Sequence, residues 1–299
     1  MQMIFIWRYS LRSRFALNAR ASRRDFDGVL LRVGDGFGCL HPWPELGDAP
    51  LETQLEALRS GVPTPSGVRA LSCAAMDERA RREGRWLFEG LEVPESHVIE
   101  GSVREEELGR FAAVKMKCGP AIEAEARRVR GLAERVPEAA LRLDFNGSLE
   151  PQGYARFLDS VPPDVKARID FIEDPVPYDE AVWPTLPKEV PLAVDRGSAA
   201  ATEGFAFRVV KPAVQEMRVF TEPVVVTSYM DHPLGQVFAA YEAATYKGLL
   251  HGAGLLTHGC FLPEEFGERL TVENARLQPP RGTGLGFDDL LEGLPWTLL

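Results

Sequence analysis

Six charged residues recur at intervals that could assemble one reaction centre: Lys115 and Lys117, then Asp144, Glu173, Asp195 and Lys211. From Lys117 onward each closes a short apolar run, with steps of 27, 29, 22 and 16 residues between them. Any one of the acids taken alone reads as a solvated strand end. Carboxylates forced together from consecutive strand ends raise one another's pKa and oppose folding unless something neutralises them. Asp144, Glu173 and Asp195 are hard oxygen donors of the kind that Mg²⁺ accepts, with Mn²⁺ as the alternative, leaving positions for water and substrate.

Lys115 and Lys117 are two apart, so on a strand they point to the same side. Two solvated lysines on an edge strand would be the plainer account. Inside a barrel mouth, neighbouring positive charge disfavours the ammonium and lowers a lysine pKa toward that of a general base. A divalent cation with a lysine base is the combination that removes a proton α to a carboxylate, because the cation can hold the oxygens of the resulting enediolate. The expected partner is therefore a small-molecule carboxylate.

The elements that must position these residues are short runs at 112–117, 141–146, 169–174, 191–195, 208–211 and 223–228. Between the first two, Ile122, Ala126, Val129, Ala133 and Val136 recur at steps of three and four between Pro120 and Pro137. That spacing predicts an amphipathic helix and hence a βαβ unit. In a (β/α) barrel the C-terminal strand ends meet at one rim, where active sites are built. The short last step predicts a reduced or irregular helix around Val214 to Phe220. Arg142, two residues before Asp144, is expected to point the same way and, with Asn146 and Ser228, to bind substrate.

Residues 1 to about 90 read as a small α+β unit. A strand is expected at 28–33, a hairpin turn at Gly34-Asp35-Gly36, a loop at His41-Pro42-Trp43-Pro44, and helices at 51–58 and around 76–87. Apolar residues at 45%, charged residues at 26% and a net charge of -10 describe an ordinary soluble chain and argue against a nucleic-acid partner, which would need clustered cations. No apolar run of about 18 residues is present to span a bilayer. The opening apolar run is too short for a signal segment. Cys39, Cys73, Cys118 and Cys260 have neither metal nor disulfide-framework spacing, so reduced thiols in the cytoplasm are expected. Nothing in the sequence sets an oligomeric state.

Some motifs carry less. The glycine clusters at 34–38 and 282–286 lack the strand and helix context of a dinucleotide loop. The five histidines lack ligand spacing. Arg12, Arg14, Arg20, Arg23 and Arg24 make a basic loop, read first as solvated and second as reaching over the barrel to a distal substrate carboxylate.

The series Lys115-Met116-Lys117, Leu143-Asp144-Phe145-Asn146-Gly147, Ile172-Glu173-Asp174-Pro175, Val194-Asp195-Arg196 and Val209-Val210-Lys211-Pro212 resembles the enolase superfamily. More narrowly it resembles the muconate-lactonizing subgroup with its o-succinylbenzoate synthases, as do residues 25–44 and 282–286. The resemblance implies a modified TIM barrel, (β/α)₇β, at 91–265, with an α+β capping domain formed by 1–90 plus 266–299. It implies Lys117 as base, Lys211 opposite it, Lys115 as auxiliary, and Asp144, Glu173 and Asp195 as Mg²⁺ ligands. The implied activity is Mg²⁺-dependent dehydration of a succinyl-bearing cyclohexadiene carboxylate in menaquinone synthesis, with racemisation or epimerisation of N-acylamino acids or dipeptides as the alternative. One departure stands out: Asp195-Arg196-Gly197 replaces the family's Asp-Glu-Ser.

Overall fold

The computed structural model describes residues 3–17 and 23–299, so Arg20 of the basic loop lies outside the described residues. In strand β1 (Ile4–Arg12) buried Tyr9 and Leu11 alternate with exposed Arg8, Ser10 and Arg12, while Ile6, on the Arg8 side, is covered by a cluster with Val29, Leu31 and Leu55. It pairs antiparallel with β2 (Asp25–Val33), which turns through Gly34 and Asp35 into β3 (Gly36–Leu40). The expected strand and hairpin are both present, the strand being longer at its start. The terminal strand Thr297–Leu298 pairs with the free edge of β1. The tail of the chain thereby joins the N-terminal sheet.

Two helices cover this sheet: α1 (Leu51–Arg59) and α2 (Pro65–Arg82). The second begins eleven residues before the expected Met76 and stops at Arg82 instead of Leu87. Its start carries a signal of its own: Thr64 Oγ1 accepts the Gly67 N–H at 3.1 Å and Pro65 occupies the first turn. On the inner face, Asp77 is fully buried and accepts three bonds, from the Phe37 and Leu285 N–H groups and from Arg81 Nε. The glycine-rich tail is explained here. Gly284 has φ +56°, and a Cβ on it would stand 2.0 Å from Asp77 Oδ1, so only glycine lets the tail wrap this close.

Eight further strands form one parallel sheet: β4 (Val98–Ile99), β5 (Ala113–Lys117), β6 (Ala140–Asp144), β7 (Ile169–Glu173), β8 (Leu192–Val194), β9 (Phe207–Val210), β10 (Val224–Thr227) and β11 (Leu250–Gly254), and Thr271–Glu273 pairs antiparallel with Arg276–Gln278 apart from it. A parallel bridge between Ser96 and Ala253, with the His97 N–H donating to the Ala253 carbonyl, draws the first and last strands together into a nearly closed barrel. All six expected runs are strands, and the first and last strands complete the set.

Helix α3 (Ile122–Arg135) buries Ile122, Ala126, Val129 and Ala133, the stripe that predicts it. Helices α4 (Pro151–Ser160) and α5 (Pro163–Lys166) follow β6, and α6 (Pro233–Thr245) follows β10. After β8 and β9 the chain makes turns and irregular backbone, so the segment around Val214 to Phe220 is irregular as expected. The hydrophobic core runs continuously from the N-terminal sheet into the barrel, Trp43 and Phe26 sharing it with Val114 and Leu143.

Candidate active site

Register sets the site. Lys117 pairs with Asp144 across β5 and β6, and Asp144 pairs with Glu173 across β6 and β7. Register partners in a parallel sheet point to the same face. One row of charge therefore crosses three strand ends, and Asp195 and Lys211 follow directly after β8 and β9.

The row is tightly interlocked. Lys115 Nζ lies 2.6 Å from Glu173 Oε2 and 2.8 Å from Asp144 Oδ2, and Lys117 Nζ lies 2.5 Å from the same Asp144 oxygen. Lys211 Nζ pairs with Asp195 Oδ2. Asn146 donates its N–H and its side-chain amide to Asp144 Oδ1, at 3.1 and 2.6 Å, from a left-handed backbone with φ 52° that bends the chain back over the strand end.

Burial and partners set the charge states. Burial alone would raise the Asp144 carboxyl, but Lys115 and Lys117 hold it well below the usual range. Glu173 moves the other way, pushed up to about 7 by burial and by the neighbouring Asp144 carboxylate, in spite of Lys115. Lys115 departs from expectation: burial favours its neutral form, yet the two carboxylates that flank it hold its pKa above the ordinary lysine value. A lysine between two acids is a counter-charge, whatever like-charged residue stands two positions along.

Lys115, Lys117, Lys211, Asp195, Asn146 and Ser228 line one pocket of ≈ 50 Å³. Leu17, Trp43 and Leu46 roof it from the N-terminal unit. Trp43 Nε1 donates to the Tyr229 carbonyl at 2.8 Å, and the Tyr229 hydroxyl donates to Asp48 at 2.9 Å, so the proline-rich loop is bolted to the barrel rim. Ser228 Oγ shares a 2.6 Å bond with Thr257 Oγ1.

Arg142 is a correction. Its guanidinium is held by Asp170 Oδ2 at 2.8 Å and by His97 Nδ1 at 2.9 Å, and it lines a separate 400 Å³ pocket with Ala113, Ala140 and His251 at the opposite end of the barrel. Its register partner Lys115 still reaches the mouth, so strand periodicity fixes the face but not the depth that a long side chain takes.

Sequence reasoning also passed over Asp174. From a left-handed backbone its carboxylate accepts the N–H groups of Asp195 and Arg196 at 3.0 and 2.9 Å. It thus anchors the strand end where Arg196-Gly197 replaces the family's pair.

Among the described residues, no three His, Cys, Asp or Glu side chains stand close enough as they are to hold a metal ion. The donor set nonetheless suits a hard cation. Glu173 Oε1 is buried with no hydrogen-bond partner, and the carboxylates of Asp144 and Asp195 act on Glu173 as like charges. An acceptor oxygen left bare among other anions is where a cation gains most.

Comparison with known proteins adds two independent matches along the chain. Residues 4–80 match the family model described as o-succinylbenzoate synthase, N-terminal domain, and residues 99–205 match the enolase C-terminal domain-like model. An o-succinylbenzoate synthase of Bdellovibrio bacteriovorus is 32% identical over 96% of this chain and 96% of its own length. Among solved structures, a dipeptide epimerase of Enterococcus faecalis complexed with Mg and the dipeptide L-Leu-L-Tyr superposes with a TM-score of 0.75 at 16% identity, covering 96% of this chain and 99% of that one. A muconate lactonizing enzyme of Pseudomonas fluorescens complexed with muconolactone gives 0.74 at 14%, covering 95% of each chain. At those identities the two structures speak for the fold.

Proposed function

The chain belongs to the o-succinylbenzoate synthase family of the enolase superfamily, a lyase-type enzyme, and from that premise we propose that it dehydrates 2-succinyl-6-hydroxy-2,4-cyclohexadiene-1-carboxylate to o-succinylbenzoate. The observation that carries the reading is that Lys117 and Lys211 line one pocket together with Asp195, while Asp144 and Glu173 stand in register beside Lys117.

In this reading Lys117, as the amine, takes the ring proton α to the substrate carboxylate, and the electron pair of that C–H bond passes into the carboxylate as an enediolate. The ring then re-forms its double bond toward the carbon bearing the hydroxyl. The C–O bond breaks, the hydroxyl leaves as water with the proton that Lys117 carries, and the ring becomes aromatic. One lysine serves as base and then acid. Lys211 contributes positive charge on its side of the pocket, held in place by Asp195. Asp144, Glu173 and Asp195 would hold a divalent cation, Mg²⁺ in this reading, which when bound supplies Lewis-acid charge to the substrate carboxylate. Asn146 orients Asp144 through two hydrogen bonds.

The work of the enzyme would fall in menaquinone synthesis. The four cysteines are all buried and unpaired, which supports a reducing, cytoplasmic setting, and no described helix is long and apolar enough to cross a membrane.

A second reading has one observation in its favour. Two lysines on one pocket are also the equipment of a racemase or epimerase, one base for each face of an acidic carbon. Paired assays separate the two: ultraviolet absorbance for the aromatic product, and deuterium exchange into N-succinyl amino acids and dipeptides.

A further inference from the structure

Below the lysines the barrel interior is divided: Phe171, Ala193, Val209 and Val225 form an apolar cluster of the usual kind, and Arg142 makes a polar group beside it. Arg142 is 5% exposed and cannot turn: Nε donates to Asp170 Oδ2 at 2.8 Å, Nη2 reaches the His251 carbonyl at 3.3 Å, and the guanidinium lies 4.9 Å over the Phe171 ring. Asp170 is itself fixed by His251 Nε2 at 2.9 Å. The remaining nitrogen, Nη1, meets His97 Nδ1 at 2.9 Å.

That contact has one chemical meaning. A guanidinium has donors only, so His97 Nδ1 must carry the lone pair. The ring is then neutral with its proton on Nε2. Burial, and then the Arg142 charge, keep it from taking a second proton.

His97 is only 4% exposed yet helps to line the active-site pocket, and its Nε2 lies on the side of Gly254, which lines the same pocket. A Cβ on Gly254 would stand 2.5 Å from His97 Nε2 and 2.9 Å from Thr227 Cγ2, so glycine there lets both side chains pack against the same strand end. Both neighbours line the same pocket. Thr227 Oγ1, also buried, has no hydrogen-bond partner among the described residues.

We propose that His97 Nε2–H and the Thr227 hydroxyl form a neutral donor pair at the pocket floor that binds an acceptor oxygen of the succinyl-bearing substrate, with Arg142 as the positioning residue that fixes the His97 tautomer. This deepens the proposed function and rests on its reading that the pocket takes such a carboxylate. Two neutral donors beside three lysines select an oxygen without adding charge, which suits a ketone or amide carbonyl better than a second carboxylate. A carbonyl of that kind is present in a succinyl ketone and in an N-succinyl amide.

Long-range ¹H–¹⁵N spectra of the ¹⁵N-histidine-labelled chain, assigned with His97→Gln, test this in the presence of Mg²⁺. The proposal expects the neutral Nε2–H pattern for His97 at pH 7.5 and a displaced His97 resonance on saturation with o-succinylbenzoate or an N-succinyl amino acid. An Nδ1–H or doubly protonated pattern, or a resonance that neither probe moves, overturns it. In kinetics on whichever substrate the chain turns over, the isosteric Thr227→Val should raise KM about five- to tenfold with kcat and Tm nearly unchanged. His97→Phe should raise KM further, and His97→Gln, which keeps an N–H near the Nε2 position, should recover most of that loss. An unchanged KM in Thr227→Val and His97→Phe contradicts the proposal. If no dehydration is seen but an N-succinyl probe moves His97, the assigned reaction is wrong and the donor pair stands. If dehydration proceeds and neither probe moves His97, the donor pair alone fails.

Discussion

Lys117 and Asp144 are register partners on adjacent parallel strands, and their side chains meet at 2.5 Å over the barrel mouth. Asp144 Oδ2 also takes Lys115 at 2.8 Å, so one oxygen is shared by the side-chain nitrogens of two lysines. The base of the proposed reaction and the central ligand of the proposed cation are thus held in one contact.

Replacing Lys117 with Ala should remove both the acid and the base. We expect kcat to fall by a factor on the order of 10³ or more, with far-ultraviolet circular dichroism unchanged. The dehydration assay on the purified variant checks this, and an active Lys117→Ala protein would overturn the mechanism.

Metal dependence should follow the carboxylates. Treatment with EDTA should abolish turnover and Mg²⁺ should restore it. In thermal melts Mg²⁺ should raise Tm of the wild-type chain, because a ligand that binds only the folded state stabilises it by mass action. In Glu173→Gln, which removes the charge beside the bare Oε1, the Mg²⁺-induced rise should shrink or vanish.

Acid should loosen the seam between the N-terminal sheet and the barrel. His41 and His232 are fully buried and each is held down at about 3, by burial first and then by Arg23 for His41 and by His41 for His232. A histidine that titrates lower folded than unfolded contributes stability that is complete above pH 6.5 and lost as pH falls from there toward 3. Urea unfolding at pH 7.5, 5.5 and 4.5 should show that loss in the wild type. The His232→Asn variant, which can still accept the Leu234 N–H that His232 Nδ1 accepts at 3.2 Å, should lose less between pH 7.5 and 4.5. Equal slopes in the two proteins would count against this account.

The tail should be worth measurable stability. Asp77→Ala strands the Phe37 and Leu285 N–H groups and leaves Arg81 without one of its partners, at a cost of roughly 3 kcal/mol in urea unfolding. Because Asp77 does not line the active-site pocket, kcat should change little. A variant as stable as wild type would show that the tail is held elsewhere.

Much of the site can be read from the sequence because charge at the end of an apolar run is a one-dimensional pattern. Lys117, Asp144, Glu173, Asp195 and Lys211 each close such a run, and the barrel rim brings those ends together. Depth along a strand has no comparable signature. Arg142 and Asp144 share a face, yet one reaches Asp170 at the barrel floor and the other the lysines at its mouth. Contacts between distant elements are equally silent. Asp174 looks like one more acid until its carboxylate is found on the Asp195 and Arg196 N–H groups, and His97 looks like a lone histidine until Arg142 is found beneath it. For the start of α2 the signal is local: Thr64-Pro65 is an N-cap followed by proline.

The central claim is the reaction itself. Incubating the chain and Mg²⁺ with 2-succinyl-6-hydroxy-2,4-cyclohexadiene-1-carboxylate, and following ultraviolet absorbance, should show rapid conversion to o-succinylbenzoate that Lys117→Ala does not support. Absence of dehydration with Mg²⁺ present, together with Lys117-dependent deuterium exchange into N-succinyl amino acids, would contradict it.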